Sequence, residues 1–278
     1  MPSYDTPAPI TAVLEFDIAD VRVRASERRD TVVEVLPSNG TEEADVRAAQ
    51  QTKVTYANGT LTVKGPKKRS LFGRTGSIDV TLELPAGSHL RSTSPMGDHV
   101  CEGPLGDCHV KTSLGDIRLD EAGVVTLRTE HGDIRIGRAT GDAEIIGAGR
   151  IDVAEIAGAA TVKNGNGETT IGAVTGDLKV NNANGHITVG VAHGSVEARS
   201  ANGAIRLHDV ARGVVQLQAA AGDLEIGIRR SSAAWLDVNS KLGTVRNALG
   251  AADGPGGAEE TVEIHARTSI GDIVIRRA

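Results

Sequence analysis

Two histidines and two cysteines, residue types that ligate zinc, lie close together in the sequence. They are His99, Cys101, Cys108 and His109. A structural zinc site needs four such ligands converging on one tetrahedral centre. In the strand pattern described below, His109 points outward while the other three side chains take inward positions, so the four do not converge. We interpret both cysteines as buried structural thiols and predict neither a metal site nor a cofactor.

Calcium binding is a second candidate chemistry, because aspartate often follows glycine. The Gly-Asp aspartates are Asp98, Asp107, Asp116, Asp133, Asp142, Asp177, Asp223 and Asp272. Calcium-binding β-rolls also use a nine-residue repeat, but they need glycine-rich turns whose loops converge several oxygens on one ion. Each turn here offers at most one carboxylate. We predict that these aspartates accept hydrogen bonds from backbone amides at the turns.

A basic segment, KGPKKRSLFGR, is the best candidate for an interaction site. Residues 64–74 contain Lys64, Lys67, Lys68, Arg69, Leu71, Phe72 and Arg74. Basic side chains beside exposed apolar ones suit contact with lipid headgroups, nucleic acid or an acidic partner. We therefore predict an interaction loop here, between two strand-like stretches.

Most of the remaining sequence is a repeat that recurs about every nine residues and must position these side chains. Its glycines include Gly132, Gly141, Gly149, Gly158, Gly167, Gly176, Gly185, Gly194, Gly203, Gly213 and Gly222. Aliphatic residues usually follow two and four positions after the glycine, with a polar residue between them, as in Ile134, Arg135 and Ile136. This alternation is typical of a strand with one buried and one solvated face. The sequence predicts an all-β fold.

Asn-Gly pairs mark a longer period of 18 residues. Asn166, Asn184 and Asn202 each precede a glycine, and the intervening glycines follow other residues. Two strands therefore form one rung, which places these asparagines about 4.8 Å apart. We interpret them as turn residues whose side chains can form an amide ladder. An elongated β-solenoid and a two-sheet stack of hairpins both satisfy the pattern.

Irregular strands flank the regular repeat, which occupies residues 91–228. Residues 1–90 predict an N-terminal β cap or part of a small β-sandwich, with a short helix from Thr41 to Gln51 that Thr41 caps. Residues 229–278 predict C-terminal capping strands. Caps are expected because a repeat buries its apolar face only against its neighbours. We expect the three parts to form one continuous structural unit.

Composition argues against several classes of function. The net charge of −6, with one Trp, two Tyr and two Phe, provides little to attract or stack on nucleic acid. Two cysteines are too few for a secreted disulfide scaffold. We find neither a basic segment followed by an apolar run at the start nor 18 consecutive apolar residues. We therefore expect a cytoplasmic protein, and peripheral contact with a membrane stays open.

The repeated strands resemble a known family. The resemblance depends on the motifs GDIRL at Gly115, GDIRI at Gly132, GDLKV at Gly176, GDLEI at Gly222 and GDIVI at Gly271. With VTLELPAG at Val80 and WLDVNSKLGTVRN at Trp235, they are similar to bacterial β-strand-repeat proteins grouped as adhesins or toastrack proteins, and to actinobacterial members in particular. The resemblance covers nearly the whole chain. It implies the fold and a domain largely of unknown function, with some members similar to cell-envelope stress proteins.

The sequence favours a non-catalytic scaffold over an enzyme. Neither a nucleophile motif nor a distinct carboxylate pair stands out from the repeat, so we predict no catalytic residues. The scaffold would bind a protein or an envelope component, or associate with itself through its ends or edge strands. The alternative is a peripheral membrane or lipid sensor acting through residues 64–74. A less favoured alternative is a polysaccharide-active β-helix enzyme. We expect neither nucleic acid nor a small-molecule substrate as ligand.

Overall fold

The structure is a computed structural model that describes residues 2–66, 75–250, 258 and 260–278. Within these residues the chain forms 27 strands and one helix. It divides into two compact units, Met1–Thr140 and Gly141–Ala278, here called the first and second unit. The predicted all-β fold is confirmed.

The first unit contains thirteen strands and the helix. These are β1 (Ser3–Asp5), β2 (Thr11–Glu15), β3 (Ala19–Ser26), β4 (Asp30–Pro37), α1 (Glu43–Gln51), β5 (Lys53–Ala57), β6 (Thr60–Lys64), β7 (Ile78–Pro85), β8 (His89–Met96), β9 (His99–Pro104), β10 (Cys108–Leu114), β11 (Ile117–Ala122), β12 (Val125–Arg128) and β13 (Ile134–Ala139). One sheet of this unit has the order β1-β4-β7-β3-β9-β11-β13, and the other has the order β5-β6-β2-β8-β10-β12.

The second unit contains fourteen strands. These are β14 (Ala143–Gly147), β15 (Ile151–Ile156), β16 (Ala160–Asn166), β17 (Thr169–Val174), β18 (Leu178–Asn184), β19 (Ile187–Ala192), β20 (Val196–Asn202), β21 (Ile205–Val210), β22 (Gly213–Ala221), β23 (Leu224–Ile228), β24 (Ser232–Leu242), β25 (Val245–Asn247), β26 (Glu260–Ile270) and β27 (Ile273–Arg277). Its sheets have the orders β14-β16-β18-β20-β22-β26-β24 and β15-β17-β19-β21-β23-β27-β25.

Strand pairing resolves the choice between a coil and stacked hairpins in the second unit. Consecutive strands there alternate between the two sheets, and each strand from β14 to β21 pairs in parallel with the next strand of its own sheet. Leu178, for example, lies opposite Val196, 18 residues later. Hairpins would instead pair consecutive strands in antiparallel fashion. The repeat is therefore a two-sided β-coil with two strands per rung, as the 18-residue period predicts.

The core of each rung consists of the aliphatic side chains that the alternation predicts. In β18 and β19, Leu178, Val180, Ile187 and Val189 are buried, and the residues between them are more exposed. Successive rungs repeat the same inward positions, so each aliphatic side chain packs on its equivalent one rung away. Burial of these stacked side chains is the main contribution to stability.

The glycines preceding β19 and its equivalents turn the chain from one sheet into the other. Gly185 has a φ of +116°, which an L side chain rarely adopts. A Cβ at this position would also overlap the carbonyl oxygen of Gly167 in the adjacent rung. We call the residues with this role in the second unit the corner glycines: Gly167, Gly185, Gly203, Gly222, Gly243 and Gly271. The glycine period therefore reflects both backbone conformation and close packing between rungs.

Helix α1 forms where the sequence predicts it, but its start differs. The helix begins at Glu43 with Glu42 as the N-cap residue, and no side chain caps it. Thr41 does not cap the helix because its backbone N–H and its hydroxyl both bond the Asn39 side-chain oxygen, at 3.0 and 2.8 Å. The predicted Thr41 cap is therefore wrong.

Candidate association edge

The predicted basic loop falls mostly outside the described residues. Lys67, Lys68, Arg69, Leu71, Phe72 and Arg74 belong to residues 67–74, which the structure does not describe. Lys64 lies at the end of β6, where its Nζ atom is 3.0 Å from Glu15 Oε2 on the neighbouring strand. The interaction loop stays a prediction.

The His and Cys cluster is divided between the core and the surface. His99, Cys101 and Cys108 are buried, whereas His109 is exposed. A hydrogen bond with Cys108, and then burial, raises the pKa of the Cys101 thiol. His99 Nε2 lies 2.9 Å from Ser92 Oγ, and burial lowers the pKa of His99 to about 4. Among the described residues, no group of three or more His, Cys, Asp or Glu is placed to hold a metal ion.

The Gly-Asp aspartates accept backbone hydrogen bonds, as predicted, but the donors lie in the adjacent rung. In the first unit, Asp116 N donates to Asp98 Oδ1 at 2.8 Å, and Asp133 N donates to Asp116 Oδ1 at 2.9 Å. In the second unit, Ser195 N donates to Asp177 Oδ1 at 2.9 Å. These carboxylates therefore join rungs, each through its Oδ1 atom.

Asn166, Asn184 and Asn202 lie opposite one another on β16, β18 and β20. The Asn202 side-chain amide donates to Asn184 Oδ1 at 2.9 Å, so one bond of an amide ladder is present. These side chains lie on the exposed side of the turn.

A second polar column, buried at Asn164 and Thr268 and half-buried at Ser240, was missed by the sequence reasoning. Asn164 Nδ2 donates to Gly149 O at 2.9 Å, Thr268 Oγ1 to Gly222 O at 2.9 Å, and Ser240 Oγ to Gly271 O at 2.7 Å. Each donor stands three residues before a corner glycine. A polar residue at this fixed offset, on the apolar face of a strand, was the signal that could have identified the column.

A shallow cleft of about 360 Å³ lies on the solvent face of the strands β16, β18, β20 and β22. Glu197 in this cleft pairs with Lys179 at 2.9 Å and with Arg199 at 3.0 Å. The hydrogen bond from Lys179 lowers the pKa of Glu197. A glutamate held ionised in this way is unsuited to act as a general acid.

The last rung in space is not the last rung in sequence. Strands β26 and β27 insert between the rung β22/β23 and the rung β24/β25. Strands β24 and β25 are consequently the edge strands of the two sheets in the second unit. β24 is 11 residues long and pairs in parallel with β26 from Ser232↔Glu260 to Leu242↔Ile270 without a shift in register. We call this terminal rung the open edge.

The core layer of the open edge is only partly covered. Leu236 and Val238 of β24 are half-buried, whereas their partners Ile264 and Ala266 on β26 are fully buried. Four large apolar side chains of the last two rungs are strongly exposed: Trp235 (57%), Leu242 (68%), Val245 (44%) and Ile270 (57%). Apolar surface of this kind, beside a strand edge, is typical of an interaction site.

Charged groups line the solvent face of the open edge. Arg267 donates to Asp237 Oδ2 at 2.6 Å, and this hydrogen bond lowers the pKa of the Asp237 carboxyl. His265 Nδ1 lies 3.5 Å from the same oxygen, and the His265 and Trp235 rings are tilted by 60° with their centroids 5.4 Å apart. Lys241 is exposed and forms no ion pair within the described part of the chain. The edge therefore combines an apolar layer with an ordered row of charges.

No helix in the described part of the chain is long and apolar enough to cross a membrane. No curated protein matches the chain. The family model of the toastrack domain DUF4097 matches residues 12–276.

Three solved structures illustrate what the chain is similar to. A "putative adhesin" from Bacteroides fragilis is 14% identical with a TM-score of 0.41, covering 99% of this chain and 95% of that one. A "putative cell adhesion protein" from Clostridium sporogenes is 12% identical with a TM-score of 0.20, covering 100% and 98%. A "putative lipid binding protein" from Parabacteroides distasonis is 11% identical with a TM-score of 0.26, covering 98% and 95%.

Proposed function

The chain belongs to the toastrack DUF4097 family, and we propose that it is a non-catalytic β-repeat scaffold that binds a protein partner through its open edge. The observation that carries this proposal is the terminal rung β24/β25, where strand edges and half-covered core residues are exposed together. An edge strand offers unpaired N–H and C=O groups to an incoming strand, and the apolar side chains add contact area.

The chemistry of the polar groups supports a role without catalysis. Aspartates of the turns, such as Asp98 and Asp177, accept hydrogen bonds from backbone amides. Lys179 donates a hydrogen bond that keeps Glu197 of the surface cleft ionised. The buried His99 and Cys101 face the core and not a cleft. A rate enhancement on a panel of glycan substrates that a single Asp substitution abolished would overturn this part of the proposal.

Two exposed leucines provide a matched test of the binding surface. Leu242 at the open edge and Leu114 in the first unit both directly precede a glycine with positive φ, and both are strongly exposed. We expect Leu242→Lys to abolish association of fluorescently labelled protein in an extract of its native cell, measured by sedimentation velocity. Leu114→Lys should leave this association unchanged. Equal loss with both variants, or association that Leu242→Lys leaves intact, would contradict the proposal.

The basic residues of segment 64–74 favour a second candidate function, contact with an anionic lipid surface. Lys67, Lys68 and Arg69 provide three adjacent positive charges, and Leu71 and Phe72 add apolar side chains. Basic residues near an anionic surface each contribute about 1 kcal/mol to binding. Replacing the three basic residues with Glu should abolish pelleting with vesicles that contain anionic lipid. Unchanged pelleting would eliminate this function, and the open edge would be unaffected by either result.

A further inference from the structure

We propose that the partner of the open edge is a second copy of this chain, with the two β24 strands pairing in antiparallel fashion about a two-fold axis at Asn239. This inference rests on the proposed function and gives its partner. It follows from the backbone of β24, from the order of its charges and from its apolar residues.

The backbone of β24 is regular over its whole length, although the carbonyl oxygens of Ser232 and Asp237 already accept hydrogen bonds from Arg277 and Arg267 of the same chain. The strand runs SAAWLDVNSKL, with neither proline nor glycine, and its register with β26 contains no bulge. Natural edge strands are protected by being short, by proline, by a bulge or by charged side chains, and of these β24 has only the charges Asp237 and Lys241. Its 11 residues therefore offer a long, regular edge to another strand.

The charges of β24 select one register. With Asn239 opposite Asn239 of the second copy, Asp237 faces Lys241 of the second copy, and the two-fold axis repeats this pair. A centre at Asp237 or Lys241 would instead place like charges opposite each other, which destabilises a strand pair. A centre at Val238 or Ser240 would leave both charges opposite neutral residues. The register centred on Asn239 is the one that opposes the unlike charges.

The same register also matches the apolar residues. The half-buried Leu236 comes to lie opposite Leu242 of the second copy, which is exposed in the single chain. Trp235 lies just beyond the paired segment, level with the corner glycine Gly243 of the second copy. This register places even-numbered residues opposite even-numbered ones. The inward-facing side chains of one copy, such as Leu236 and Val238, therefore lie on the same face as those of the other copy. A two-fold interface uses each of these contacts twice.

A cysteine at the two-fold position tests the register directly. Opposite residues in an antiparallel pair have Cα atoms about 4.5–5.5 Å apart, within the range of a disulfide. We expect Asn239→Cys to give a covalent dimer under mild oxidation, seen on a non-reducing gel. Lys163→Cys, on an exposed position of β16 in the same sheet, is the control and should stay monomeric on the gel. The native Cys101 and Cys108 are buried and should not react.

A charge exchange tests the pairing of Asp237 with Lys241. We expect Lys241→Glu and Asp237→Lys each to weaken self-association by about tenfold or more, because each creates two like-charge pairs. Mixing the two variants restores both unlike pairs in a heterodimer, so the mixture should associate as tightly as the unmodified protein. Lys163→Glu, the control, should have no effect. Sedimentation velocity of the purified proteins measures all four.

The outcomes separate this inference from the proposed function. A dimer in which Asn239→Cys does not crosslink would overturn the register. If the purified protein stayed monomeric at high concentration, the second copy would not be the partner. The proposed function would still be supported if Leu242→Lys abolished binding of a different partner. In a monomer, hydrogen-exchange protection of the β24 amides that do not bond β26 would show that another part of the same chain covers the edge, and this would overturn both proposals.

Discussion

The edge of the first unit at β1 and β5 and the open edge of the second unit terminate the same kind of two-sheet repeat differently. In the first unit, the pairs β1/β4, β4/β7 and β5/β6 are antiparallel, and α1 packs on β4 and β7. The rings of Tyr4 on β1 and Tyr56 on β5 lie 5.3 Å apart, one from each sheet. In the second unit, the last strands stay parallel and their core layer is half-exposed.

The difference shows that a repeat protein needs non-repeat sequence at its ends to terminate the stack of rungs. A parallel rung buries its apolar face only when another rung follows, so the repeat itself contains no stop. Reversal of the strand direction, a helix and an aromatic pair provide that stop in the first unit. A rung that lacks them stays a template for another strand.

The largest expected effect compares two neighbours at the open edge, Leu236 and Ile264, which lie opposite each other on β24 and β26. Ile264→Ala should lower the free energy of unfolding by about 3 kcal/mol, because it leaves a cavity in a fully buried layer. Leu236→Ala should cost about 1 kcal/mol in a dilute, monomeric sample, since this side chain is already half-exposed. Chemical denaturation measures both. Equal losses would show that the edge is covered in the monomer.

Acid should weaken the first unit through His99. Burial lowers the pKa of this histidine to about 4, below the value of about 6.5 in an unfolded chain. Between these pH values the unfolded state binds a proton that the folded state does not. The free energy of unfolding should therefore fall by about 3 kcal/mol as the pH falls from 6.5 to 4. His99→Met should remove this pH dependence, and a slope that persisted in the variant would assign it to other groups.

Two asparagines within the repeat test how much side-chain hydrogen bonds stabilise a rung that has a neighbouring rung on each side. Asn164 is buried and donates to Gly149 O, so Asn164→Ala should cost about 2 kcal/mol by leaving that carbonyl without its donor. Asn202 is exposed and bonds Asn184, and Asn202→Ala should cost about 0.5 kcal/mol because water replaces the lost bond. Thermal unfolding of the two variants compares these costs. A larger loss for Asn202→Ala would mean that the outer ladder, and not the buried column, joins the rungs.

Local patterns in the sequence predict most of the fold, because period and alternation determine which residues form strands and which face is buried. The 18-residue rung and the role of the Gly-Asp aspartates follow from this pattern. The insertion of β26 between β22 and β24 does not, since one parallel aliphatic strand resembles another and nothing local specifies its neighbour. The open edge was therefore not predictable as a site. WLDVNSKL is an ordinary alternating strand until its position in the sheet leaves Trp235 and Leu242 exposed.

The smallest expected effect compares the aromatic residues of the two edges. Tyr56→Ala should cost about 1 kcal/mol, because the ring packs against Tyr4 between the two edge strands of the first unit. Trp235→Ala should cost about 0.3 kcal/mol in the monomer, since most of the indole is exposed and contacts only His265 among aromatic rings of the described chain. The order should reverse for self-association, which Tyr56→Ala leaves intact and Trp235→Ala weakens. Chemical denaturation and sedimentation velocity on the same two samples provide both comparisons. If Trp235→Ala destabilised the monomer as much as Tyr56→Ala, the indole would act as a cap, and the second unit would be closed like the first.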